Sequence, residues 1–393
     1  MKIIAYVLLA LVLYACQQKT QETKQATPEK WSVKMANSVI GRYQNLTQYL
    51  GANESKGWQY DVAFLAMTID KLGDKDSKYS SFMADYVNHF VTDSGTILAY
   101  KQDEYNIDRI APARNLITLY KRTGEDKYRK SIELFVHQME NHPRTKEGGF
   151  WHKKVYPNQM WLDGLYMASP FLTQYAKEFN QPKWFDEVSF QITTVYKRTL
   201  DTKTGLLYHA YDESRKMPWS DPQTGHSPNF WSRSMGWYLM AIVDVLDYLP
   251  ENHEQRDSII KIFQATSEAL LKVRDPKTGL WYQVLDQGPR EGNYLEGSGS
   301  AMYTYAFAKG AKKGYLDPKF TKIAEESFQA MLNNFITTDT DGHISMTSIC
   351  GACGLGGNPY RDGSYEYYIH EKVVTNDTKG VAPFILAALE LDK

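Results

Sequence analysis

The sequence predicts an all-α fold, an (α/α)6 toroid of six helical hairpins. Three observations carry this prediction. Apolar residues recur at helical spacing in twelve separate stretches, and a small glycine-containing turn recurs six times among them. No shift in composition divides residues 31–393, so the helices belong to one body. Because a single hairpin cannot bury its apolar face alone, neighbouring hairpins must pack together and the ring must close.

The helical stretches account for most of this body. Several begin at Ser or Asp and end near Thr-Gly or Lys-Gly, as helices commonly do. An open solenoid is the rival arrangement, but the unequal repeats and the long connections at 200–230 and 337–363 fit it poorly. The predicted helices are 33–49, 59–72, 76–91, 108–122, 126–140, 163–179, 182–199, 232–249, 254–274, 296–313, 317–336 and 380–392.

The recurring turn pairs glycine with aromatic or aliphatic residues. The six turns begin near residues 57, 94, 148, 204, 278 and 341. In a toroid, the turns that precede inner helices gather at one mouth, so we expect the six to face one another across a cleft. The last five are predicted to pivot on Gly95, Gly149, Gly205, Gly279 and Gly342.

The N-terminal residues predict export. Residues 1–16, "MKIIAYVLLALVLYAC", have an early lysine and a short apolar run that is typical of a secretory signal. The tetrad that ends at Cys16 resembles a bacterial lipobox, in which the cysteine becomes the lipidated N-terminus. Residues 17–30 are polar and read as a flexible tether, so the toroid occupies 31–393. We expect a periplasmic or outer-membrane-anchored bacterial lipoprotein.

The charge balance limits the classes of partner that the sequence predicts. The formal net charge is −1, so no global field steers the protein to nucleic acid, and membrane contact is expected only through a lipid on Cys16. Cys350 and Cys353 are open to three readings: small loop residues, a local disulfide that export permits, or half of a metal or redox site. No dense cluster of metal ligands is visible, so neither a metal nor a cofactor is expected.

Polar and aromatic side chains follow the turns and would converge on one rim. Taken singly, each has a structural explanation: Asp108 and Asp163 as helix N-caps, Arg233 as a cation stacked on tryptophan. Taken together, carboxylates, histidines, an arginine and stacking rings suit an anionic sugar. The set comprises Trp58, Asp108, His152, Lys153, Trp161, Asp163, His209, Trp231, Arg233 and Trp237.

Asp163 stands out because its sequence neighbours are apolar. It lies in "QMWLDGLYMASPFL", and burying an unpaired carboxylate is costly, so an apolar pocket favours the neutral acid. Trp161, Leu162, Leu165, Tyr166 and Met167 are the residues available to form such a pocket.

Five segments together resemble glycoside hydrolase family 105, the unsaturated rhamnogalacturonyl hydrolases, over nearly the whole chain after the leader. They are "YPNQMWLDGLYMASPFL", "TGLLYHAYD", "FWSRSMGWY", "YLEGSGSAMYTYAFAKG" and "GSYEYYIHEKVVTNDTKGVAPFILAALE", in the family's order. The resemblance implies an (α/α)6 catalytic domain with Asp163 as the acid/base. It implies active-site or substrate-contact roles for Asp108, Lys153, His209, Trp231, Arg233 and Trp237.

The resemblance also implies a reaction. Such an enzyme removes the terminal 4,5-unsaturated uronic acid from small anionic oligosaccharides made by lyases, of rhamnogalacturonan or ulvan type. It hydrates the C4–C5 double bond: an acid protonates C4 and water adds at C5. In that scheme Asp108 orients Asp163 or the water, and its charge keeps the acid protonated by repulsion. Arg233 is expected to clamp the uronate carboxylate bidentately, and His209 to bond a sugar hydroxyl or the carboxylate.

Three alternatives stay open at this stage. The first is the related unsaturated glucuronyl hydrolase activity on glycosaminoglycan fragments. The second is inverting hydrolysis of saturated sugars by Asp108 and Asp163. The third is a surface lipoprotein that binds glycans without turnover.

Overall fold

The computed structural model describes residues 29–43, 46–52 and 57–393. The predicted signal and lipidation site, residues 1–16, lie outside these residues, as does the tether up to residue 28. Across the described ranges the chain forms fourteen α-helices and six strands of two or three residues. In this part of the protein, no helix combines the length and the apolar character that a membrane crossing requires.

The helices follow the predicted order, with two exceptions. The stretch predicted as one helix at 33–49 is two helices, and a short helix at Tyr365–His370 was not predicted. The bounds are α1 Trp31–Gly41, α2 Leu46–Ala52, α3 Tyr60–Asp70, α4 Ser77–Phe90, α5 Ala113–Thr123, α6 Asp126–Glu140, α7 Leu162–Glu178, α8 Lys183–Thr199, α9 Ser232–Val245, α10 Arg256–Lys272, α11 Gly297–Lys312, α12 Lys319–Phe335, α13 Tyr365–His370 and α14 Thr378–Glu390.

Six helices form a closed inner ring. Going round it, α3 contacts α5, α5 contacts α7, α7 contacts α9, α9 contacts α11, α11 contacts α14, and α14 returns to α3. Every residue of α9 is buried, as expected for a helix that is covered on all sides. The (α/α)6 toroid predicted from the sequence is therefore confirmed.

The outer helices each pack on one inner helix, and the sixth pair is formed differently from the others. Five pairs are consecutive hairpins: α3 with α4, α5 with α6, α7 with α8, α9 with α10, and α11 with α12. The sixth joins the two ends of the described chain, because α14 packs on α1. The last helix therefore closes the ring against the first.

A buried ionic cluster joins three inner helices. Asp244 of α9 accepts hydrogen bonds from Arg114 of α5 and from Tyr305 and Lys309 of α11, at 2.7–3.1 Å. Burial alone would raise the pKa of Asp244, but Lys309 and Arg114 lower it well below its usual value. The carboxylate therefore stays charged and ties α5, α9 and α11 together.

We expected the six turns to face one another across the mouth, but the turns at Gly95, Gly148 and Gly279 lie at the perimeter instead. Each packs on the outer helix of the next hairpin: Ser131 of α6 donates to the Gly95 carbonyl, Gln191 of α8 to that of Gly148, and Ser327 of α12 to that of Gly279. The third turn also pivots on Gly148, whose φ is +102°, and not on Gly149. The segments that follow the turns reach the mouth instead.

Backbone hydrogen bonds join these segments side by side at the N-terminal ends of the inner helices. The strand β1 (Gln159–Trp161) pairs antiparallel with β2 (Ala210–Asp212), just before α7. The other strands are β3 (Ile336–Thr338), β4 (Ile344–Met346), β5 (Ile349–Cys350) and β6 (Val373–Val374); β3 pairs with β4, and β5 with β6. Further bridges join Asn106 to Lys153 and Trp231 to Val284. This ladder fixes the side chains of the candidate site.

Candidate active site

Asp163 lies in the first turn of α7, at the end of β1. Trp161 occupies the N-cap position, so Asp163 is not the N-cap that its sequence context allowed. The β1–β2 pairing brings His209 alongside, and the Leu162 amide donates to the His209 carbonyl at 3.1 Å. The side chains then meet, with His209 Nε2 at 3.3 Å from Asp163 Oδ2.

The contact between Asp163 and His209 is close but imperfectly aligned. Oδ2 and Nε2 are both buried, and within the described residues neither makes a hydrogen bond. Catalytic hydrogen bonds are often misaligned until substrate is bound, so the short distance is compatible with a bond in the substrate complex. The two groups form one unit at the mouth, and the Asp163 side chain keeps 15% of its surface exposed.

Aromatic rings enclose His209. Its Nδ1 lies 2.7 Å from the Tyr368 hydroxyl, and its ring centroid lies 4.8 Å from that of Trp231 and 5.4 Å from that of Trp161. Trp161 is the apolar neighbour that flanks the site. Leu162, Tyr166 and Met167 are buried in the main hydrophobic core of the ring.

Asp108 heads a second polar group on the same rim. It lies in a short 3-10 turn, Ile107–Arg109, before α5 begins at Ala113. Lys153 Nζ is 2.6 Å from its Oδ2, and His152 Nε2 is 3.7 Å from its Oδ1. Burial alone would raise the pKa of Asp108, but Lys153 and His152 lower it below the usual value, so Asp108 is charged at neutral pH.

His152 connects the two groups through Trp161. Its ring stacks on Trp161 with centroids 4.4 Å apart, and Tyr156 stacks on the same indole at 5.1 Å. Burial lowers the pKa of His152 to about 4, which leaves its ring neutral near pH 7. A neutral ring between the two carboxylates adds no net charge to the rim.

Two tyrosines belong to the site and were not among the predicted site residues. Tyr368 comes from the unpredicted helix α13, and Tyr60 is the first residue of α3. Burial raises the pKa of Tyr60 well above its usual value, and the charges of Asp61, Asp108 and Asp163 raise it further. Tyr60 is thus within electrostatic reach of both site carboxylates. Tyr368 stands inside one of the quoted segments and Tyr60 lies in the turn that begins near residue 57, but residue type alone does not separate them from core tyrosines.

Arg233 does not have the free guanidinium that a substrate clamp needs. It is 1% exposed; its Nε donates to Ser298 Oγ at 2.7 Å, and its terminal nitrogens donate to the carbonyls of Cys350 and Gly351. Glu296 Oε1 lies 3.7 Å away. Arg233 therefore anchors the loop after β5 to α9 and α11, and the predicted bidentate grip on a uronate is not supported.

The tryptophans divide into two groups. Trp161 and Trp231 contact His209, as described above. Trp58 is fully buried and stacks with Tyr86 and Phe135 at centroid distances of 5.6 and 5.9 Å, so its predicted contact with substrate is wrong. Trp237 is 1% exposed and packs on Tyr166 and Tyr60, where it supports the wall of the site from behind.

The two cysteines lie beneath the same wall. Both are free thiols with their Sγ atoms 3.3 Å apart, and Cys350 packs with Trp231 and Tyr368. Within the ranges that the structure covers, no three His, Cys, Asp or Glu side chains are grouped as metal ligands.

Comparison with known proteins agrees with this architecture. The family model of Glycosyl Hydrolase Family 88 matches residues 31–393. A solved glycoside hydrolase of family 105 from C. acetobutylicum is 46% identical, with a TM-score of 0.89, and the match covers 93% of this chain and 99% of that one.

Two curated relatives have named activities. An unsaturated rhamnogalacturonyl hydrolase of Bacillus subtilis is 24% identical over 315 residues, which span 79% of this chain and 84% of that protein. An unsaturated 3S-rhamnoglycuronyl hydrolase of Formosa agariphila is 30% identical over 198 residues, 49% of this chain and 50% of that protein. The predicted resemblance is confirmed: the chain is a glycosidase that belongs to Glycosyl Hydrolase Family 88 and is similar to family 105 enzymes.

Proposed function

We propose that this enzyme removes the 4,5-unsaturated uronic acid from the non-reducing end of lyase-made oligosaccharides by hydrating the C4–C5 double bond. The observation that carries the proposal is the Asp163–His209 unit at the mouth of the ring, 3.3 Å apart and flanked by Trp161 and Trp231. A partly exposed carboxyl group beside a buried imidazole suits proton delivery to carbon.

The reaction follows from the chemistry of an enol ether. Asp163 gives its proton to C4, and positive charge develops at C5 and the ring oxygen. Water adds at C5, and the Asp163 carboxylate takes one of its protons. The resulting hemiketal opens, and the glycosidic bond to the next sugar breaks as a consequence. Asp163 thus ends the cycle protonated, as it began.

In this reaction Asp108 has a different role from the one that we expected from the sequence. Its ion pair with Lys153 at 2.6 Å compensates its charge, so repulsion from Asp108 is a weak means of keeping Asp163 protonated. We assign Asp108 and Lys153 to substrate contact, with the ammonium group available to the uronate carboxylate.

The relatives support a rhamnose-linked substrate. The names of the Bacillus and Formosa enzymes specify rhamnogalacturonyl and rhamnoglycuronyl units, so we propose a rhamnogalacturonan or ulvan fragment for this chain. Glycosaminoglycan fragments are the competing substrate.

The deciding experiment compares unsaturated disaccharides that lyases release from rhamnogalacturonan, ulvan and chondroitin. The proposal expects loss of the ultraviolet absorbance of the double bond with the first or second, and none when Asp163→Asn replaces the wild type. Turnover of the chondroitin product alone would assign the glycosaminoglycan activity. Binding of all three without turnover would assign a glycan-binding role.

We also propose that the protein is an exported lipoprotein with Cys16 as its lipidated residue. The support is the leader sequence alone. Labelling of cells with radioactive palmitate should mark the wild type and leave Cys16→Ala unlabelled, and equal labelling of both would remove this proposal.

A further inference from the structure

Tyr368 is placed to decide which nitrogen of His209 carries the proton. Among the described residues, its hydroxyl is the one hydrogen-bond partner of the His209 ring, at 2.7 Å from Nδ1. The other nitrogen, Nε2, faces Asp163 Oδ2. In a neutral imidazole one nitrogen donates and the other accepts, so the bond at Nδ1 dictates what Nε2 presents to Asp163.

The phenol is the donor in this bond. Tyr368 is completely buried, and burial, then the neighbouring Cys353, raise the pKa of Tyr368 well above its usual value. It therefore keeps its hydrogen. Within the described chain Nδ1 is the acceptor that this hydroxyl reaches, and a buried hydroxyl whose hydrogen has no acceptor is unfavourable.

We propose that Tyr368 is a positioning residue: it donates to His209 Nδ1, places the ring hydrogen on Nε2, and so makes Asp163 Oδ2 an acceptor. The acidic proton of Asp163 then sits on Oδ1, the oxygen left for the substrate. Once that proton has moved to the substrate, the Nε2–H group donates to a full carboxylate, and such charge-assisted bonds are the stronger ones. The catalytic consequence rests on the proposed function, whereas the tautomer does not.

The surroundings hold Tyr368 in this orientation. Its carbonyl accepts from Gln283 Nε2 at 3.2 Å, and Gln283 Oε1 accepts from the Trp231 indole at 3.1 Å. The Tyr368 ring also stacks on Trp231, with centroids 6.2 Å apart. One amide side chain therefore fixes both of these aromatic neighbours of His209.

The adjacent tyrosine provides a matched control. Tyr367 lies on the same short helix, but its hydroxyl accepts from the Gly354 amide at 3.0 Å and does not hydrogen-bond to His209. Tyr367→Phe and Tyr368→Phe each remove one hydroxyl and leave the ring, so both variants should fold, which thermal melting checks.

The test is the nitrogen NMR spectrum of imidazoles in full-length protein labelled with ¹⁵N-histidine, with His209 assigned through His209→Gln. We expect the hydrogen on Nε2 in the wild type and in Tyr367→Phe, and loss of this pure tautomer in Tyr368→Phe. A hydrogen on Nδ1 in the wild type, or an unchanged spectrum in Tyr368→Phe, would overturn the inference.

Kinetics on the unsaturated disaccharide add a second readout. Loss of one hydrogen bond to a charge-bearing unit should lower kcat of Tyr368→Phe about tenfold with KM unchanged, while Tyr367→Phe behaves as wild type. Equal kcat in both variants would contradict the positioning role. If the wild type turns over no such substrate, the proposed function fails, and the NMR spectrum still decides the tautomer.

Discussion

The ammonium group of Lys153 lies 2.6 Å from the Asp108 carboxylate, on the rim that also holds Asp163. Lys153 keeps 23% of its side chain exposed, whereas the guanidinium of Arg233 is committed to Ser298 and to two carbonyls. Of these two cations, the lysine is therefore the accessible one. Recognition of an anionic sugar should depend on it.

Lys153→Met should raise KM for the unsaturated disaccharide about tenfold, because hydrogen bonds to charged groups contribute about 1.5–3 kcal/mol. Steady-state kinetics measure the change. Lys154→Met is the matched control, since the neighbouring Lys154 donates to the Asp103 carbonyl. Equal KM values for the two variants would remove Lys153 from substrate binding.

Asp163→Asn should lower kcat by about 10²–10⁴-fold and leave sugar binding in place, because the amide keeps the shape of the acid but has no proton to give. Isothermal titration and turnover assays on the same preparation separate the two effects. Asp186→Asn serves as the control, since Asp186 is an exposed carboxylate on the outer helix α8. Full activity of Asp163→Asn would show that another group is the acid.

Asp244→Asn should destabilise the ring by about 3–5 kcal/mol, because it leaves Arg114 and Lys309 buried without their shared counter-charge. Chemical denaturation gives the free energy of unfolding. Asp247→Asn removes the more exposed carboxylate that also contacts Lys309, and it should cost much less. Similar losses in both variants would mean that the buried cluster has no special part in closing the toroid.

Two buried histidines should make the protein less stable as the pH falls. Burial lowers the pKa of both His142 and His152 from 6.5 to about 4, so between these values the unfolded chain binds protons that the folded protein does not. The free energy of unfolding is therefore highest above pH 6.5. It falls as the pH falls towards 4, by about 2–3 kcal/mol for each histidine.

Denaturation of His142→Gln and wild type at pH 7 and pH 4.5 tests this dependence. The variant should lose less stability on acidification than the wild type. His137→Gln removes an exposed histidine from the end of α6 and should leave the wild-type dependence unchanged. A variant at position 142 with the full wild-type acid sensitivity would contradict the assignment.

The helical ring could be predicted because its signal is local. Apolar residues at helical spacing predicted the helices that pair in the ring, and the recurring glycines predicted five of the turns between them. The closing pair could not be read in the same way, since α1 and α14 meet from opposite ends of the chain. Nor could spacing show that the turns pack outward, because that depends on Ser131, Gln191 and Ser327 of the following outer helices.

The site was partly predictable for a similar reason. Asp163 and His209 stand in separate recognisable segments, and the β1–β2 pairing joins them. Residue type did not show that Trp58 is sealed between two rings, nor that the donors of Arg233 are occupied by backbone carbonyls. Tyr368 escaped notice because its helix has only six residues, too few for a periodic pattern.

The most direct measurement uses one disaccharide in two forms, the unsaturated lyase product and its saturated twin. If Asp163 protonates C4, the enzyme releases the neighbouring sugar from the unsaturated form in step with the loss of its double-bond absorbance, and it leaves the saturated form intact. Cleavage of both forms at equal rates would contradict hydration and assign ordinary hydrolysis to this site.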